Sequence, residues 1–142
     1  MHTRSWGMIA AACLTGVLVS GCSSVKNAPV DKDVGDSLRV LADAYTKATE
    51  KNNRPPKGPE ELKPFLPKDV SEEKVYRSAR DGQPFVIIWG ADPRTGRDLK
   101  PLVIAYEKNG KGGARMVFTA MGVMSISNTD FPSANFPAGH KP

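Results

Sequence analysis

Thiols and imidazoles are nearly missing from this sequence. Its 142 residues hold two cysteines, Cys13 and Cys22, and two histidines, His2 and His140. Each pair is widely split, so the close His and Cys spacing of a zinc site is not there. A Ser–His–Asp or Cys–His centre needs an imidazole held in fixed geometry, and His140 sits in a polar, proline-punctuated stretch. Long apolar runs are missing too. The longest, Trp6–Val19 (WGMIAAACLTGVLV), has fourteen residues, fewer than the roughly 18–20 that cross a hydrocarbon core as a helix. Nor does charge of one sign dominate either half. Lys plus Arg number 20 against 15 Asp plus Glu; residues 22–80 hold 12 and 10, residues 81–142 hold 7 and 5. Without a basic stripe, nucleic acid is not an expected partner.

The N-terminus carries an address. Arg4 precedes the apolar run, and small residues close it, the pattern of a secretory signal peptide. Val19-Ser20-Gly21-Cys22 then resembles the lipobox of bacterial lipoproteins at all four positions: aliphatic, small, small, cysteine. That resemblance implies a diacylglyceryl thioether on Cys22, cleavage between Gly21 and Cys22, and acylation of the new amino terminus by a chain such as palmitate. Two or three acyl chains give stable membrane binding where one is marginal. The expected location is the bacterial cell envelope, with the membrane as partner through lipid on Cys22. An Asp in place of Ser23 would favour inner-membrane retention, so the outer membrane facing the periplasm is expected. The chain divides into a signal peptide (1–21), a tether (22–32), one domain (33–128) and a C-terminal tail (129–142). The resemblance thus implies that cleavage removes Cys13 and His2 and that lipid blocks Cys22, leaving no disulfide and stability that rests on packing.

Within the domain, the apolar period is first helical and then that of strands. Val34, Leu38, Leu41, Tyr45 and Ala48 recur at spacings of four, three, four and three, which predicts an amphipathic helix over Asp33–Asn53. Asp33 and Asp36 suit its start, Lys47 and Lys51 its end. Arg54–Pro67 (RPPKGPEELKPFLP) has five prolines in fourteen residues. Pro59-Glu60-Glu61-Leu62 reads there as a short helix with Pro at its first position. Four strands are predicted: Pro84–Gly90 (PFVIIWG), Pro101–Tyr106 (PLVIAY), Ala114–Thr119 (ARMVFT) and Gly122–Ser127 (GVMSIS). Val75-Tyr76 is a candidate for an earlier one. The short connections predict an antiparallel meander, and a helix followed by such a sheet is an α+β fold. In the tail, Phe131 and Phe136 can dock, and the last residues are expected to be mobile.

This order of elements resembles the globular part of bacterial pilin-like proteins, the type II pseudopilins. The resemblance spans roughly residues 34–128 and rests on "NNRPPKGPEELKPFL", "FVIIWG", "PLVIAYEK" and "GGARMVFTAMGVMSIS". Phe118 and Gly122-Val123 match the closing hairpin of that family, with Met121 where the family has Asp. The resemblance implies a long helix on an antiparallel sheet and a role accessory to a pilin-like or secretion assembly. The pilin's own apolar helix, with its Glu near the start, has no counterpart after Cys22; a lipid would replace it.

Candidate chemistry is thin. The adjacent pairs Glu60-Glu61 and Glu72-Glu73 do not face one another on a helix and read as a helix start and a solvated loop. Asp92 and Asp98 flank DPRTGRD, which lacks a calcium-loop ladder and reads as a hairpin turn. Asn109–Gly113 (NGKGG) lacks the phosphate-loop pattern. Trp89 and Tyr106 can stack on a sugar, but strand aromatics are more commonly core. Arg94, Arg97 and Lys100 form the one basic cluster that suits an acidic protein partner in the envelope. The expectation is a lipid-anchored protein that binds or scaffolds, without catalytic residues, metal or cofactor. The alternative is a stand-alone module for peptidoglycan or a partner protein.

Overall fold

Helix α1 (Lys32–Asn52) carries the predicted stripe on one side. A computed structural model describes residues 32–96 and 100–142; the segment expected as a signal peptide, the tetrad ending in Cys22, nearly all of the expected tether, Arg97 and Asp98 lie outside them. Val34, Leu38, Leu41, Tyr45 and Ala48 are all fully buried, while Asp36, Arg39, Asp43, Lys47 and Glu50 face solvent. Asp33 in the first turn and Lys51 in the last complement the helix dipole. Asn53 then adopts a left-handed conformation (φ 52°) and ends the helix.

The proline-rich stretch folds as two 3₁₀ turns, Pro59–Glu61 and Lys63–Phe65. Leu62 between them is fully buried, and Phe65 and Leu66 pack on the same cluster as α1. Helix α2 (Glu72–Val75) follows, with the Ser71 side chain accepting from the Lys74 N–H at its start. Here two expectations change. Val75 ends a helix instead of opening a strand, and Glu72-Glu73 form a first turn instead of a loop. A serine cap followed by two acids favours a helical turn, and that local chemistry prevails. Beyond it only Arg77 pairs, with Pro84, as an isolated bridge.

The sheet comprises β1 (Val86–Ile87), β2 (Val103–Tyr106), β3 (Ala114–Thr119) and β4 (Gly122–Ser127), neighbours in chain order and antiparallel throughout. Helix α1 lies over β3 and β4, so the fold is the expected α+β meander. Strands β3 and β4 keep their predicted bounds. Strand β1 is far shorter than Pro84–Gly90, because the chain turns away at Gly90 (φ 84°), whose N–H bonds Pro56 O at 3.0 Å.

Strand β2 contains a bulge. Val103 pairs with Thr119 and Ala105 with Phe118, leaving Ile104 unmatched. Ile104 and Ala105 therefore both face the α1 side, while Val103 and Tyr106 face the other. All four are buried, because the sheet is covered on both faces. The second cover is the C-terminal segment. Phe131–Ser133 makes a 3₁₀ turn, and the Val103 N–H bonds Asn135 O at 2.8 Å. Tyr106, Phe131 and Phe136 meet edge to face, with ring centroids 4.9–5.9 Å apart.

Candidate functional site

The turn after β1 carries the first residue of the basic cluster. Asp92 Oδ1 accepts from the Arg94 N–H at 2.9 Å, and Thr95 Oγ1 donates to Asp92 O at 2.8 Å, so the turn closes on itself. The Arg94 guanidinium donates back to the Asp92 carboxylate at 2.7 and 2.9 Å. Its remaining arm reaches Asn53 Oδ1 at 3.0 Å. Arg94 thus ties the turn to the C-terminal end of α1, where positive charge is favoured. Its hydrogen bonds hold the Asp92 carboxyl below the ordinary range, and the carboxylate in turn raises the Arg94 guanidinium.

Arg94 borders a groove of about 170 Å³ between α1 and the β3–β4 turn, with Asp43, Thr46, Glu50, Thr119 and Gly122. Two carboxylates, a guanidinium and threonine hydroxyls suit it to hold a small polar group. Lys100 is exposed and borders a different groove, of about 290 Å³, with Met124, Ile126 and Asn135. The structure does not bring Arg94 and Lys100 to one groove, and Arg97 lies outside the described residues. A third, open groove of about 720 Å³ lies at the N-terminal end of α1, bordered by Asp33, Asp36, Lys74, Arg77 and Ser78.

The aromatic candidates are packing residues. Tyr106 is 4% exposed. Trp89 is half-buried and stacks on Tyr45, with centroids 6.2 Å apart. The Tyr45 hydroxyl donates to Ala91 O at 2.9 Å, and burial pushes this phenol well above its usual value of 10. His140 is half-buried, with Nε2 3.1 Å from the Tyr106 hydroxyl, against the same aromatic cluster.

One polar centre escaped the reading of the sequence. Glu107, just past β2, is fully buried. Its Oε1 accepts from Ser78 Oγ at 2.6 Å and its Oε2 from the Met116 N–H at 2.8 Å, while Arg80 Nη1 lies 3.6 Å away. Arg80 also donates to Lys111 O and Ala114 O, joining the α2–β1 connection to the β2–β3 hairpin. A buried carboxylate so surrounded is a structural node: removing Arg80 would leave its charge uncompensated. The signal that could have found it is alternation from Ala105, which puts residue 107 on the α1 side of the sheet. Among the described residues, no group of three or more His, Cys, Asp or Glu side chains is gathered to hold a metal, and no helix is long and apolar enough to cross a membrane. Comparison of the chain with protein-family models, with curated proteins and with solved structures gave no match.

Proposed function

We propose that this chain is a lipid-anchored protein of the bacterial cell envelope that binds or scaffolds and performs no catalysis. The observation that carries this reading is the tetrad Val19-Ser20-Gly21-Cys22 directly after a short apolar run headed by Arg4. Lipid on Cys22 removes the one thiol of the mature chain from any reaction. The buried carboxylate of Glu107 has donors on both oxygens and faces none of the three grooves. Within the envelope, the outer membrane facing the periplasm is the proposed site, since Ser23 stands where an Asp would retain the protein inside. Assembly with pilin-like or secretion proteins is the proposed role. It rests on the sequence resemblance and on the compatible order of one helix and an antiparallel meander.

A stand-alone binding module is the second reading, favoured by the polar groove beside Arg94. Metabolic labelling with a clickable fatty acid tests the anchor. Label is expected on the wild-type chain and absent from Cys22→Ala; label persisting in the variant rejects the lipobox. Crosslinking in cells separates the two roles: capture of pilus or secretion proteins supports the first, and capture of peptidoglycan alone supports the second.

A further inference from the structure

The end of the domain nearest the tether presents a basic hairpin tip. From Lys108 to Thr129 the sequence has no acidic residue, while Lys108, Lys111 and Arg115 are basic. The β2–β3 connection closes through Lys111-Gly112-Gly113-Ala114, with Lys111 N bonded to Ala114 O at 2.9 Å and Ala114 N to Lys111 O at 3.3 Å. Both central glycines have positive φ (64° and 79°), the backbone of a two-residue hairpin turn. Gly110 (φ 68°) is required as well, since a Cβ there would stand 2.5 Å from Ala114 O. The turn is braced from behind by Arg80, which holds the carbonyls of Lys111 and Ala114. Lys108 and Lys111 are left exposed, and neither joins a salt bridge among the described residues.

This tip lies at the N-terminal end of α1. Ser78 connects the two: it borders the groove shared with Asp33 and Asp36, and it bonds Glu107 at the base of the hairpin. Several acids of this end are engaged: Asp36 pairs with Arg39, Glu73 with Arg77 and Glu107 with Arg80, Asp81 accepts from the Gln83 N–H, and Asp130, just past Asn128 beside the tip, accepts from the Ser127 hydroxyl at 2.7 Å; Asp33 and Asp130 have no salt bridge among the described residues. Between Cys22 and Lys32 lie nine residues, which reach at most about 35 Å. The far end of α1, with Arg94, is a further ~30 Å away along a 21-residue helix. A lipid on Cys22 therefore keeps the hairpin tip close to the bilayer at high effective concentration.

We propose that Lys108 and Lys111 at the β2–β3 tip dock the domain onto anionic phospholipid headgroups, so that α1 stands with its N-terminal end at the bilayer surface. This orients the Arg94 end away from the membrane, toward partners. The proposal rests on lipidation of Cys22, and the experiment separates the two. Mature lipidated protein has no other thiol, so a single cysteine can be labelled at Asn109 (tip) or at Asn52 (far end), both exposed. Each labelled protein is reconstituted in vesicles bearing an acceptor lipid, either phosphatidylcholine alone or with phosphatidylglycerol.

Docking predicts strong energy transfer from position 109 and weak transfer from 52 with phosphatidylglycerol, and a smaller difference in the neutral vesicles or at high salt. Lys108→Ala and Lys111→Ala each lower the docked-to-undocked ratio about five-fold. Both are surface changes expected to leave the fold intact, which circular dichroism checks. Vesicle-bound protein with equal transfer from the two positions, or with transfer indifferent to phosphatidylglycerol, overturns docking. Protein lacking acyl mass and failing to join either vesicle overturns the anchor and the docking with it.

Discussion

The two faces of the sheet are covered by different means. One lies under a 21-residue helix whose stripe of Val34, Leu38, Leu41, Tyr45 and Ala48 is fully buried. The other lies under a short irregular strap in which Phe131, Phe136 and His140 converge on Tyr106. The helix satisfies its own backbone and needs only an apolar stripe to dock. The strap has little regular structure, so it depends on a few aromatic contacts and on the bond from Val103 N–H to Asn135 O. The stability of the helix face is thus spread over many residues and bound up with global folding, whereas the strap can open locally.

Truncations on each face test this difference. Leu41→Ala is expected to have the largest effect, a loss of about 2–5 kcal/mol in denaturant melts, because a fully buried site beneath a helix collapses poorly. Amide exchange should rise throughout the domain. Phe131→Ala should cost less, below about 3 kcal/mol, since the strap can detach while helix and sheet stay paired. Its signature is faster exchange at Val103 and Ala134 with β3–β4 protected as before; a global rise equal to that of Leu41→Ala would erase the distinction between the faces.

The smallest change is Tyr45→Phe, which joins the helix face to the segment after β1. It leaves Ala91 O without its donor and should cost about 1 kcal/mol at neutral pH. Burial raises the Tyr45 phenol above its usual 10. The folded state then holds the proton more tightly than the unfolded chain. The Tyr45 contribution to stability is constant below pH 10 and falls as pH climbs beyond it. Wild type should therefore lose its advantage over Tyr45→Phe above pH 10, and a constant gap from pH 7 to 11 would contradict this account.

Legibility followed the reach of the interactions. The helix was legible because its burial pattern repeats along one stretch of chain, and β3 and β4 because each is a short apolar segment bounded by glycine-bearing turns or polar residues. The shortness of β1 was not, because it is set by Gly90 meeting Pro56, more than thirty residues earlier. Arg94, Arg97 and Lys100 stand close together in the sequence, but Arg94 is drawn to Asp92 and Asn53 while Lys100 borders another groove. Glu107 looked like any residue past a strand until Ser78 and Arg80 came to meet it.

By itself the sequence determined the order and kind of the main elements, α1 and the four strands: a helical period, then a strand period, broken by proline and glycine. These are nearest-neighbour and face-periodic effects, written into the chain wherever apolar side chains recur. It also holds the tetrad Val19-Ser20-Gly21-Cys22, on whose resemblance to a lipobox the proposed address rests. Tertiary structure alone decided the bulge at Ile104, the partners that close around Glu107, and the place where the segment from Phe131 to His140 docks as the second cover. Each depends on groups far apart in the chain filling one space, and no local pattern encodes which distant residue will arrive.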